Sequence, residues 1–336
     1  MKLTRRALLA GSGLAASGIA QAQSGRSLKI NLLGYCLADH VPTTAAVMDM
    51  LPQVSGFAAP QTARIDQMRT AAQTVIAGAA ELGETDPIVT MSAVEAGADL
   101  KLVGLWYSQT SLVLVADAKR IQALKDLADP ANIVAVNEKG DITHVCLLGP
   151  LLDAGIDINK INFVEIGGSG ARMRALLAGR VQAVPVHLDQ AAQMTKDGRF
   201  TIVIEPWKSY HPWINEVWVT TGSWLKQTSN ETALVALLKA NIAAYRRANT
   251  DYAWYADCYR RYATVPDSEK QDSIIRPLWE GLVNDVKSWP PQDGPAPEDI
   301  ERLIPLYKAA GAVRGTVKAR DFVILDYVKQ ALAELG

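Results

Sequence analysis

Residues 133–183 constrain this chain more tightly than any other stretch. The apolar run Ile133-Val134-Ala135-Val136 meets a polar turn, Asn137-Glu138-Lys139-Gly140-Asp141, and a helical pattern begins near Thr143 and stops at Gly155. The arrangement then repeats. Residues 161–166 run into Gly167-Gly168-Ser169-Gly170, a helix over ARMRALLAG stops at Gly179, and a strand over 181–186 closes the series. Strands alternating with helices specify parallel βαβ units. Each unit brings a glycine-containing loop to the end of the sheet, where a helix begins. Such helix starts carry unpaired N–H groups and the positive end of the helix dipole. The segment therefore predicts a cleft suited to a small, anionic ligand.

The chain has 336 residues, with 34 basic and 35 acidic side chains and a net charge of −1. That balance argues against nucleic acid as the main partner. Residues 1–22 read as an export signal. Lys2, Arg5 and Arg6 form a basic start, 7–19 is a mild apolar run, and Ala20-Gln21-Ala22 fits a small-x-small cleavage site. Thr4-Arg5-Arg6-Ala7-Leu8-Leu9 is similar to a twin-arginine signal. No later run reaches the ~18 apolar residues of a membrane span. The expectation is a soluble, periplasmic protein. Cys36, Cys146 and Cys258 allow at most one disulfide; Cys146 is expected inside a helix and Cys36 in an exposed loop.

Elsewhere the pattern predicts strands over 28–33, 79–82, 100–105, 111–116, 201–204 and 217–221, with residues 56–63 hard to assign. Gly83-Glu84-Thr85-Asp86 reads as a loop, with Asp86 capping a helix that starts at Pro87. Residues 106–110 and 205–215 read as aromatic loops, and Trp289-Pro290-Pro291 as a linker. From Asn230 onward helices dominate, beginning with an amphipathic one over 230–246.

The segments AGAAELGETDPIVTMSAVEAGADLKLVG, SLVLVADAKRIQALKDLADPANIVAVNEKGDITHVCL and VEIGGSGARMRALLAGRVQAV occur in this order. Together they resemble the periplasmic solute-binding proteins of ABC importers, in the branch that takes nitrate, taurine, alkanesulfonates and thiamine precursors. The similarity covers most of residues 28–250. It implies a type II periplasmic binding fold: two doubly wound α/β lobes joined by two crossing strands, with a helical C-terminal region. Lobe 1 would hold 27–113 and 218–336, and lobe 2 would hold 114–217. The resemblance also implies a monomer that passes a small-molecule ligand to a membrane permease. Residues 52–63 align poorly, Gln182 stands where Asp is common, and the 205–216 loop is unusually aromatic. Ligand identity therefore does not transfer.

Gly168 and Ser169 form the strongest candidate contact, as a helix-start nest. The alternative is a turn whose glycines serve geometry alone. Arg172 is either a charge for the ligand or a solvated helix residue. Asp141 and Thr143 close the companion loop and are candidates for contact or for capping. Thr85 and Asp86 hold the matching position in lobe 1. Tyr35, Trp106, Tyr107 and Trp213 lie where an aromatic would stack on an organic ligand, or simply fill the core. His40, His187 and Asp189 are expected to face the cleft. The four histidines, His40, His144, His187 and His211, match no metal spacing, so neither a metal nor another cofactor is expected. There is no nucleophile elbow, metalloprotease helix, P-loop or dinucleotide fingerprint. The leading expectation is a non-enzymatic binding protein for a small organic anion, sulfonate- or carboxylate-like. A neutral or cationic heterocycle as ligand, and an enzyme on the same fold, are the alternatives.

Overall fold

The computed structural model describes residues 25–289 and 297–336. The export signal expected at 1–22 lies outside the described residues, as does part of the linker at 289–291. Among the described residues, ten strands form two five-stranded sheets. The first is built from β1 (Lys29–Leu33), β2 (Gln61–Ile65), β3 (Leu82–Thr85), β4 (Leu100–Tyr107) and β10 (Glu216–Thr221), in the order β2-β1-β3-β10-β4. The second is built from β5 (Val113–Asp117), β6 (Ile133–Val136), β7 (Asn162–Glu165), β8 (Ala183–Val186) and β9 (Phe200–Ile204), in the order β7-β6-β8-β5-β9. In each sheet four strands run in the same direction. One antiparallel strand, β10 or β5, lies between two others. The chain passes from the first sheet to the second after β4 and returns after β9.

Helices cover both sheets. α1 (Val41–Ala45) follows a 3-10 turn, Ala38–His40. α2 (Met68–Ile76), α3 (Pro87–Glu95), α4 (Ile142–Asp153), α5 (Ser169–Leu177) and α6 (Leu188–Met194) each follow a strand. Two short helices, α7 (Pro206–Ser209) and α8 (Gly222–Leu225), flank β10. The 23-residue α9 (Thr228–Thr250) and then α10 (Tyr252–Tyr262), α11 (Asp272–Glu280), α12 (Pro297–Glu301), α13 (Ile304–Ala309) and α14 (Asp326–Leu335) follow. The C-terminal segment returns to the edge of the first sheet: Leu102 N–H donates to Phe322 O (2.9 Å), and Ile324 N–H donates to Leu102 O (2.9 Å). This covers part of an edge strand that would otherwise offer free backbone groups.

Burial on both faces explains why β4, β5, β6 and β8 read as continuous apolar runs. β2 is the opposite case. Its residues, QTARI, are largely exposed at a sheet edge, so no hydrophobic pattern marked it. β3 begins at Leu82, where a strand was expected to end, because Gly83, Glu84 and Thr85 pair with β10. β4 likewise runs through Trp106 and Tyr107, which were expected in a loop. Cys36 is fully buried rather than exposed, and it, Cys146 and Cys258 are free thiols. None of the described helices is long and apolar enough to cross a membrane.

Candidate ligand site between the two sheets

Residues following β1 and β3 meet residues following β6 and β8. Ala38 N–H donates to Asp189 Oδ2 (3.1 Å), Asp39 Oδ2 lies 3.2 Å from His187 Nδ1, and Ile142 N–H donates to Asp86 Oδ2 (3.4 Å). The strand ends of the two sheets thus face each other, the position where open α/β sheets bind ligands. Two backbone features shape the loops there. Gly140 and Gly167 hold φ of 87° and 82°, a region costly for residues with a Cβ.

The centre is His40, presented by the turn between β1 and α1. Its ring lies 5.3 Å from Tyr35, 5.5 Å from Tyr107 and 5.2 Å from His187, centroid to centroid. Three carboxylates surround it. Asp39 Oδ1 is 2.7 Å from His40 Nδ1, Glu216 Oε2 is 3.1 Å from His40 Nε2, and Glu84 Oε1 is 3.9 Å from the same nitrogen. Asp39 also accepts from the Ser111 hydroxyl, and its carbonyl accepts from Trp289 Nε1 (2.8 Å). Glu84 Oε2 accepts from Leu33 N–H (2.7 Å), and Glu216 Oε1 accepts from the Asn215 amide (3.3 Å). Glu216 pairs with Tyr107, and a register shift separates it from Val217; such bulges re-aim side chains.

Burial opposes ionisation of all three acids. At Asp39 the charges of His40 and His187 overcome it and hold the carboxyl well below its ordinary range. At Glu216, His40 does the same. Glu84, buried and beside the Glu216 charge, is pushed well above it. His40 is held well above the usual histidine range, because Glu216 and Asp39 outweigh its burial. All four shifts follow from one imidazole held among three buried carboxyl groups.

The candidates divide. Tyr35, His40, Tyr107, His187 and Asp189 gather at this centre. Two of the four histidines thus converge, which their spacing did not show. Thr85 turns away and donates to Met68 O (3.1 Å). Asp86 caps α3 through Val89 N–H (2.6 Å); burial raises its carboxyl to about 7. Asp141 caps α4 and accepts from Thr143 Oγ1 (2.6 Å) and Asn137 Nδ2 (2.8 Å). Trp106 packs tilted against Trp218 at 4.8 Å, and Trp213 meets Tyr210 edge-on at 5.4 Å, with both tryptophans, Trp106 and Trp213, fully buried. Arg172 is buried, with Nε donating to Pro185 O (3.0 Å) and Nη1 to Gly167 O, so it is not the solvated helix residue expected. Asp39, Glu84, Glu216 and Ser111 were missed. The only signals were the Asp39-His40 pair after β1 and single acids at the ends of short strands.

Gly168 and Ser169 line a different part of the interface. With Gly34, Tyr35, Arg174 and Gln190 they bound an opening of about 270 Å³ at the start of α5. A larger cavity of about 890 Å³ lies between α6 and the 269–287 helices, and reaches the centre only at Asp189.

The family model described as NMT1/THI5 like matches residues 65–251. The chain belongs to this NMT1/THI5-like family. No curated protein matches it significantly. Solved structures do. The ligand-binding component of an ABC-type import system from Staphylococcus aureus, determined with zinc bound, superposes with a TM-score of 0.73 at 14% identity, covering 91% of this chain and 99% of that one. The periplasmic nitrate-binding protein NrtA from Synechocystis PCC 6803 gives 0.73 at 10% identity, over 94% and 90%. The alkanesulfonate-binding protein SsuA from Xanthomonas axonopodis pv. citri, bound to MOPS, gives 0.70 at 17% identity, over 89% and 98%. This family member thus has the type II periplasmic binding fold, with its helical C-terminal region.

Proposed function

We propose that this family member is the substrate-binding component of an ABC importer, capturing a small organic anion between two lobes and delivering it to a membrane permease. The observation that carries the reading is the cleft at the start of α5, set where the two sheets meet. It joins Gly34 and Tyr35 after β1 to Gly168, Ser169 and Arg174 after β7. First-turn N–H groups and a guanidinium favour a negative head group. The nitrate- and alkanesulfonate-binding relatives on the same fold support that ligand class. The lobes are 27–113 with 218–336, and 114–217. Closure follows because the ligand touches both. The protein acts as a periplasmic monomer after loss of the leader, and the ligand leaves chemically unchanged.

The test is a thermal-shift screen of the exported chain against sulfonates, carboxylates and nitrate. A ligand that binds only the folded state raises Tm by mass action. Gly168→Trp, at a position in the same cleft where an added Cβ meets open space, should abolish the shift while its own unliganded Tm stays near that of the parent. An undiminished shift in that variant would remove the α5 cleft from the site, and turnover of the ligand would overturn the transport reading.

A further inference from the structure

Besides Asp39 Oδ1, three buried polar atoms at the floor of the interlobe centre have no hydrogen-bond partner: His40 Nε2, Glu84 Oε1 and Glu216 Oε2. Their side chains are at most 1% exposed. His40 Nε2 lies 3.1 Å from Glu216 Oε2 and 3.9 Å from Glu84 Oε1, and all three fall within 4.8 Å of one another. One ligand atom from each is therefore close enough to the other two to share a single ion. Orphaned buried polar atoms are costly, on the order of 1–3 kcal/mol each, which makes three in one place unusual unless something completes them.

We propose that this point is a binding site for a divalent transition-metal ion of the zinc type, held by His40 Nε2, Glu84 and Glu216. The ion would displace the protons that this cluster favours on His40 and Glu84, leaving an imidazole and two carboxylates, a donor set that suits such ions. Ligands about 2.1 Å from a tetrahedral ion are about 3.4 Å apart, and the two separations from His40 Nε2 bracket that value. The far side of every ligand is already supported. Asp39 Oδ1 stands 2.7 Å behind His40 Nδ1, Leu33 N–H holds Glu84 Oε2, and the Asn215 amide holds Glu216 Oε1. A carboxylate behind a ligating imidazole, with hydrogen-bonded carboxylate ligands, is the outer shell that orients metal sites.

A second trio, Asp39, His40 and His187, is also close enough to share an ion. It is the weaker set. Asp39 Oδ2 and His187 Nδ1 are already occupied with Ser111 and with each other. The favoured trio also lies entirely on the first sheet and the turn that follows β1. With three protein ligands the ion keeps a position open for an outside group, as in sites that bind substrate. The site goes beyond the importer reading and bears on it. An anion approaching this centre meets the Asp39 and Glu216 carboxylates, and a divalent cation beside them opposes their field.

The experiment is a metal titration of the full chain, stripped with chelator, with no organic ligand present. Zn²⁺ is titrated against a chromophoric competitor, and Co²⁺ is followed by its visible spectrum. One equivalent should bind, and the Co²⁺ bands should be those of a four- or five-coordinate N/O site. Glu84→Gln and Glu216→Gln, nearly isosteric, should each weaken binding at least tenfold while remaining folded by circular dichroism. His144→Gln, remote from the trio, should bind as the parent does. Failure of the parent to take up either metal, or parental affinity in both glutamine variants, would overturn the site. Because no anion enters the titration, either failure leaves the transport reading standing.

Discussion

At the scale of single residues, His144 offers the cleanest titration. It packs edge-on against Phe163 at 4.5 Å and accepts from Gly140 N–H (3.0 Å). Burial, helped by Lys139, lowers its pKa from 6.5 to about 4. The unfolded chain then binds this proton more readily than the folded one. Its contribution to stability is full above about pH 6.5 and is lost as pH falls toward 4. At pH 5 the loss is about 2 kcal/mol. Asp86 works in the opposite sense: its carboxyl is raised from 3.8 to about 7, so the stability it contributes is present below pH 4 and fades as pH rises toward 7. Comparing a variant with its parent separates the two. His144→Gln, which keeps a side-chain acceptor, should close on or overtake the parent by about 2 kcal/mol between pH 7 and pH 5, read from urea midpoints. Parallel pH curves would show that this imidazole charges freely in the folded state.

Among elements, α4 shows how a helix and a crossing segment define each other. A Cβ placed on Gly149 would come within 2.4 Å of the Tyr210 ring. That ring cannot yield easily, because its hydroxyl donates to Asp153 Oδ2 (3.1 Å) and its face meets Trp213. Gly149→Ala should therefore cost about 1–3 kcal/mol, the usual penalty for overpacking, despite the better helix propensity of alanine. A Tm equal to or above the parent's would mean that the 205–215 segment moves aside. The same elements show which parts of the fold were readable. The series β6–α4–β7–α5–β8 was legible because its strands are apolar on both faces and its loops carry glycines. β2 was not, since Gln61, Thr62 and Arg64 lie exposed at an edge and leave no hydrophobic trace. Glu84 and Glu216 were illegible for another reason. Each sits in a strand whose pairing, β3 with β10, joins residues more than 130 positions apart, and a bulge decides where Glu216 points. Local pattern carries none of that, so the reading chose the neighbouring Thr85.

For the molecule as a whole, the question is what holds the two halves together before a ligand arrives. Apolar packing joins the halves, since each core cluster draws residues from both sheets, and polar contacts cross beside it: Ala38 N–H to Asp189 Oδ2, Asp39 to His187, Ile142 N–H to Asp86 Oδ2 and Arg69 to Glu138. Polar crossings suit a two-state hinge, because water replaces each lost hydrogen bond when the halves separate. If the halves part as the importer reading requires, changes at these polar crossings shift the population of the closed form. Asp189→Ala sharpens this. In the open form the Ala38 N–H is hydrated and nothing is lost. In the closed form it becomes a buried donor without an acceptor, which costs about 1–3 kcal/mol. The variant should populate the open form roughly 5- to 150-fold more. Small-angle scattering of the unliganded chain should show a larger radius of gyration than the parent. Ligand affinity should fall in proportion, since binding must first restore closure. An unchanged radius together with unchanged affinity would place the closing energy elsewhere, in the apolar packing that surrounds the hinge.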